Sequence, residues 1–332
     1  MKGRVVFWTL AAAAMVAAAV QASGAHALDA EARAAIGAAL QFASEHGLPV
    51  SSSPPSFAWT MWLAVPAMAG VGEAGLAWWS STSGLLCHVA TVALLVGVAW
   101  RASGGRAFVP IAAAAFAASP AAAAQAAANG AAAASALLLT VLLRGCWQLR
   151  CAREAWRLGF VAVLAAMTRC DVGIAAAAVA AVVVLHDAAR RRAPALLASY
   201  ALPFLCVFVP YLVWQRVTNG VWLPGSPSPA LPFGPVAPVL LAAPPIVWFC
   251  AHRPDLLAAV SVFLGRRPWL VLAAHAVAAL ALAILRGDPC RVWPFVPGLL
   301  LALDFACLRF RPAWFCGVLA LTAAAAFAFA GS

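Results

Sequence analysis

Roughly twelve apolar runs, most of them near the length needed to cross a lipid bilayer, follow one another along this chain with little between them. The first covers residues 5–22, and the others lie near 57–72, 84–100, 107–125, 131–145, 157–168, 172–186, 195–214, 235–251, 269–285, 293–308 and 313–330. A hydrocarbon core of ~30 Å takes about 20 helical residues. Inside it every backbone N–H and C=O must be bonded within the protein, which leaves helices or closed barrels. The fold class this predicts is all-α: a polytopic transmembrane helix bundle of about eleven spans, forming a single integral membrane domain over residues 1–332. Composition agrees, because only 9% of the residues are charged and 65% are hydrophobic, whereas a soluble domain carries roughly 25% charged residues.

The formal charge of +11 does not indicate a nucleic-acid partner. The basic residues sit in short clusters between apolar runs, where the positive-inside bias puts them. A cytosolic side holding the N-terminus, Arg101/Arg106, Arg144 to Arg157, Arg190 to Arg192, Arg253 to Arg267 and Arg309/Arg311 collects 16 of the 21 Lys and Arg residues. Arg33, Arg169, Arg216, Arg286 and Arg291 fall on the other side. This orientation leaves an odd number of crossings for the two apolar runs in 57–100, so one of them, 57–72, is expected to be interfacial or re-entrant. The partner implied throughout is membrane lipid.

The nine cysteines form no CxxC pair, the six histidines are scattered, and neither HExxH nor a phosphate-binding glycine loop is present. No metal site is expected from these residues. Lys2 and Arg4 precede the first run, and Ala25-His26-Ala27 resembles a signal-peptidase site. A cleaved signal and a retained first span are both open, and the length of the run favours retention.

Residues 28–49, LDAEARAAIGAALQFASEHGLP, read as a short amphipathic helix on the outer membrane surface. Ile36, Ala39, Leu40 and Ala43 recur at helical spacing, Asp29 is a candidate N-cap, and Gly47 with Pro49 ends the pattern. The alanine-rich stretch 120–136 is too weakly apolar for a span and is expected to be a short loop. Ionisable groups near a membrane core cost on the order of 2.5–3.5 kcal/mol each on insertion scales and therefore point to function. The outer set is Asp29, Glu31, Arg33, Glu45, Arg169, Asp171, Arg216, Arg286, Asp288 and Arg291. Asp29 is either a helix cap or a general base, and the two roles are compatible, since a carboxylate at a helix N-terminus stays ionised. Arg286 and Arg291 with Asp288 either grip phosphate or anchor a turn. Arg169 and Asp171 read first as a structural pair. Arg216 and Asn219 face either a lipid headgroup or the interface, next to Trp214 and Trp222 as interfacial anchors.

Several segments in order resemble the GT-C superfamily of membrane glycosyltransferases, and most nearly the terminal arabinofuranosyltransferases and related bacterial proteins. The first outer loop of that group looks like LDAEARAAIGAALQFASEHGLPV followed by PPSFAWTMWLAVPA; further elements look like MTRCDVG at 167–173, VWQRVTNGVWLPGS at 213–226 and GDPCRVWPFVPGLL at 287–300. The chain departs from the pattern where an acidic pair is reduced to Leu28-Asp29, where a proline is Cys170, and where a Gly-x-Glu element near 128–134 reads ANGAAAA. It also lacks the group's long C-terminal extension.

The resemblance implies an inverting transferase that moves a sugar from a polyprenyl-phosphate donor to a glycan or lipid acceptor at the outer face of a bacterial inner membrane. Asp29 would be the base, and Arg216, Arg286 and Arg291 would hold the donor phosphate. Glu31, Arg169, Asp171, Asn219 and Asp288 would support them. No cofactor is required beyond the lipid-linked sugar as substrate. A divalent cation is left open, although positions i and i+2 of a helix, as Asp29 and Glu31 would be, point apart. The rivals are a non-catalytic GT-C-like subunit, favoured by the missing acids, and a transporter or flippase, disfavoured by the absence of internal repeats.

Overall fold

The computed structural model describes residues 2–23, 28–45, 56–102, 119–191 and 193–220, with Pro294 and Pro297 further along. Expectations for 103–118 and for the rest of the chain beyond 220, including four of the predicted runs and most of a fifth, lie outside the described residues. Within them the chain is helical: α1 Lys2–Ser23, α2 Ala30–Glu45, α3 Phe57–Met68, α4 Glu73–Ala102, α5 Pro120–Ala128, α6 Gly130–Gln148, α7 Ala152–Thr168, α8 Cys170–Arg191, α9 Ala195–Pro203 and α10 Val209–Asn219. Three stretches are long and apolar enough to cross a membrane: Glu73–Val98, Gly130–Gln148 and Ala195–Thr218. The chain is an integral membrane protein.

The helix α6 is the axis of the described part. One of its sides packs on α4 and the other on α7, with α8 completing that side. Leu139, Leu142 and Leu143 of α6 share a core with Leu158 of α7, Val183 and Val184 of α8, and Leu196 and Tyr200 of α9. On the α4 side the core is alanine and valine: Ala132, Ala133 and Ala136 meet Val92, Val96, Ala126 and Ala13 of α1. Alanine offers little hydrophobic area but lets helix backbones approach closely, where dispersion replaces a hydrophobic drive that lipid does not supply. Gly84 of α4 marks the tightest approach, since a Cβ there would stand 2.0 Å from the Ala126 carbonyl oxygen.

The stretch expected to be a loop at 120–136 is two helices. Ser119 accepts from the Ala122 N–H ahead of Pro120 at the first helical position, a start signal for α5. Asn129 then ends α5 and caps α6 by accepting from the Ala132 N–H at 2.8 Å. Alanine has the highest helix propensity of any residue while ranking low as a membrane-inserting one. Hydropathy therefore hid a helix that propensity would have found.

Of the two apolar runs in 57–100, only α4 is long enough to span. The helix α3 has 12 residues, about 18 Å at 1.5 Å per residue. The α2 stripe is covered by protein rather than lying against lipid: Ala35, Ile36 and Ala39 are buried with Trp59, Leu63 and Ala131. Between α9 and α10 the backbone runs through one π-helical turn, Phe204–Phe208, in which the Val209 N–H donates to the Phe204 carbonyl. Pro203 and Pro210 lack N–H groups on either side of it, and a π turn is a usual way for a long helix to absorb such gaps.

Helix lengths place the polar ends. The 19 residues of α6 rise about 28 Å, roughly one hydrocarbon thickness. Asn129 at its start and the basic turn Arg150–Arg153 after its end therefore lie at opposite faces. Next, α7 returns across a similar distance, so Arg169 comes back to the end where Asn129 sits.

Candidate active site

At that end four side chains from three separate segments meet. Asp29 precedes α2 and caps it: its Oδ1 accepts from the Ala32 N–H at 2.7 Å, and its backbone carbonyl accepts from the Arg33 N–H at 3.1 Å. Its own N–H donates to the Ala128 carbonyl at 3.2 Å, which ties the α2 start to the α5 end. The cap expected at Asp29 is thus present.

Asn129, between α5 and α6, is 4% exposed. Its Nδ2 donates to Asp29 Oδ2 at 2.5 Å and to Glu31 Oε2 at 3.2 Å. The amide cannot be read the other way round, because Oδ1 is committed to the α6 cap. Glu31 Oε2 also stands 3.7 Å from Arg169 Nη1. Arg169 sits in the one-residue break between α7 and α8, where its extended backbone turns the chain. It is 9% exposed although charged, so a partner is required there.

Two expectations change here. Asp29 and Glu31 do not point apart, because Asp29 is the cap outside the helix and only Glu31 is in its first turn. The site therefore has two carboxylates rather than one. Asn129 went unrecognised, although its amide donates to both acids. An Asn directly ahead of a helical run is a start signal, and reading 120–136 as a loop removed the helix that would have exposed it. The Asn129 NH2 group takes the position between Asp29 Oδ2 and Glu31 Oε2. Among the described residues no three His, Cys, Asp or Glu side chains converge.

The other predicted residues divide. Arg216 is exposed in the last turn of α10, and its guanidinium donates to the Gly220 carbonyl. Its helix packs close to the Arg169 break: Tyr211 and Trp214 share a cluster with Cys170 and Phe57. The Phe57 ring lies 5.0 Å from that of Tyr211 and 5.8 Å from that of Trp214. Trp214, expected as an interface anchor, makes these ring contacts within the protein. Gln215 is buried and donates to the Tyr211 hydroxyl at 3.0 Å. Asp171 is the second residue of α8 and Asn219 ends α10; their side chains are outside the described set, as are Arg286, Asp288, Arg291 and Trp222.

The wall beside Asn129 is close-packed. The Trp59 ring of α3 lies over Gly130, where a Cβ would stand 2.1 Å from the indole Cζ2. On the other flank the same Gly84 approach brings α4 against Gly130. Chemically, the cluster offers a carboxylate that accepts from two donors, the Ala32 N–H and the Asn129 amide. It still has free acceptor positions, since two oxygens carry about four lone-pair sites, and a guanidinium lies close by.

No protein-family model matches the chain, and no curated protein does. Among solved structures it is similar to the crystal structure of ArnT from Cupriavidus metallidurans bound to undecaprenyl phosphate, with a TM-score of 0.64 at 18% identity. The match covers 96% of this chain and 63% of that one, so the chain spans less than two thirds of its neighbour's length. At this identity the likeness shows the fold alone, a helical membrane-protein bundle like that of the neighbour.

Proposed function

We propose that this chain is an inverting membrane glycosyltransferase that takes a sugar from a polyprenyl-phosphate donor. The observation that carries the reading is the Asp29–Asn129–Glu31–Arg169 cluster, gathered from distant segments at one end of a GT-C-like bundle. The neighbour's bound undecaprenyl phosphate supports a lipid-linked donor.

Asp29 takes the proton from an acceptor hydroxyl. The acceptor oxygen attacks the anomeric carbon opposite the phosphate, the bond from carbon to phosphate oxygen breaks, and its electron pair leaves on the polyprenyl phosphate. Configuration at that carbon inverts. Glu31 and Asn129 hold Asp29 in place, and Arg169 balances the paired negative charge. Arg216, Arg286 and Arg291 are the guanidinium groups suited to the departing phosphate, where fixed donors act most strongly, with Asp171, Asn219 and Asp288 as their supports. The positive-inside bias puts the Arg150–Arg153 turn in the cytosol. The cluster then faces outward from a bacterial inner membrane, where a glycan or lipid acceptor is met.

Membranes containing the chain are to be given a polyprenyl-phosphate donor radiolabelled in its sugar. Label passing to an acceptor, with one polyprenyl phosphate released per sugar moved, is the expected result. Intact donor crossing the bilayer would favour a flippase, and an inert donor a non-catalytic subunit.

A further inference from the structure

The basic turn at the far end of the bundle leads into a helix face that membrane orientation alone does not explain. In α7, Arg153, Trp156, Arg157, Phe160 and Leu164 recur at helical spacing and share about 100° of arc, one stripe along the helix. All five are exposed, Trp156 and Phe160 to 45% each. Ala155, Leu158, Ala162 and Ala166 on the other side are buried.

The stripe changes chemistry along its length, from charge in its first turns to rings and hydrocarbon further in. Trp156 and Phe160 stack, with centroids 5.9 Å apart and planes at 20°, so the two rings offer one flat apolar surface next to the arginines. Among the described residues neither Arg153 nor Arg157 makes an ion pair or hydrogen bond through its side chain. The nearby acid, Glu154, accepts the Arg150 backbone N–H at 2.5 Å. Like charges four residues apart on a helix repel, and no protein anion offsets that here. The positive-inside bias asks only that arginines stay on this side. It does not ask that they share a stripe with stacked exposed rings.

We infer that this stripe binds an anionic phospholipid, with Arg153 and Arg157 holding its phosphate and Trp156 and Phe160 carrying the glycerol and upper acyl region. Guanidinium forks match phosphate oxygens, and basic side chains at this membrane face attract anionic lipid. The arginines run without interruption into the exposed apolar flank of a membrane-embedded helix, a surface that a soluble anion would not use. An indole at headgroup depth is a common membrane anchor. The inference stands apart from the sugar-transfer reading.

The test uses the full chain in detergent, titrated with phosphatidylglycerol, cardiolipin or phosphatidylcholine and followed by native mass spectrometry. Wild type is expected to bind an anionic lipid at least tenfold more tightly than phosphatidylcholine. Arg153→Gln/Arg157→Gln is expected to bring that preference below threefold. Arg190→Gln/Arg191→Gln, which removes the same charge from another basic segment, is expected to keep it within twofold of wild type. Trp156→Ala/Phe160→Ala is expected to weaken all three lipids together. The unfolding temperature of Arg153→Gln/Arg157→Gln in phosphatidylcholine is expected to match wild type, since no protein bond is removed; a fall there would mean that the arginines serve the fold, and would overturn the site. So would no preference in wild type, equal loss in both arginine pairs, or full preference in Arg153→Gln/Arg157→Gln. Displacement of the lipid by an equal concentration of inorganic phosphate would give the arginines to a soluble anion instead.

Discussion

The amide of Asn129 donates through one nitrogen to Asp29 and Glu31 and caps α6 through its oxygen. Bonds to ionised groups are worth about 1.5–3 kcal/mol each and a cap about 1 kcal/mol. Asn129→Asp keeps the cap but puts a third carboxylate where a donor stood. Sugar transfer is expected to fall at least tenfold with a lower unfolding temperature, measured side by side in the same detergent; wild-type transfer would mean that the amide does not set the carboxylates. At this scale the sequence made Asp29 legible as a cap, because Asp before an apolar-periodic segment has one common use. It did not make Glu31 legible as its neighbour. That contact depends on a residue 98 positions further on, and nothing local encodes it.

Elements were easier to read where apolar length decided them and harder where alanine did. The helix α4 and the run 195–214 are long and strongly apolar, and both are helices of spanning length. The pair α5 and α6 was misread at 120–136 because its surface is small rather than greasy. Close backbone approach holds it against α4, and the Trp59 ring of α3 covers Gly130. Gly130 and Gly84 carry that approach, so Gly130→Ala and Gly84→Ala are each expected to destabilise by about 1–3 kcal/mol, the usual cost of overpacking. Thermal unfolding in detergent measures it. A stable, active Gly130→Ala chain would show that Trp59 does not lie on this break as described.

For the whole molecule, the alternation of apolar runs and basic turns gives membrane residence from the sequence, and helix length then separates two polar ends. Cys151 is exposed at the Arg150–Arg153 turn, while Arg33 is exposed in the first turn of α2, beside Asp29. In intact cells a membrane-impermeant maleimide is expected to label Arg33→Cys, exposed one turn from Asp29, and to spare Cys151 until the membrane is opened. The reverse pattern would turn the site to the cytosol. What ties that geometry to chemistry is Asp29, and here a mild substitution isolates the chemistry. Asn caps a helix about as well as Asp, so Asp29→Asn removes the base and leaves the α2 start intact. The most direct measurement is therefore the transfer of radiolabelled sugar from a polyprenyl-phosphate donor by wild type and Asp29→Asn at equal folded protein. The account predicts a loss of a hundredfold or more, about 2.7 kcal/mol of barrier; transfer within twofold of wild type would contradict it.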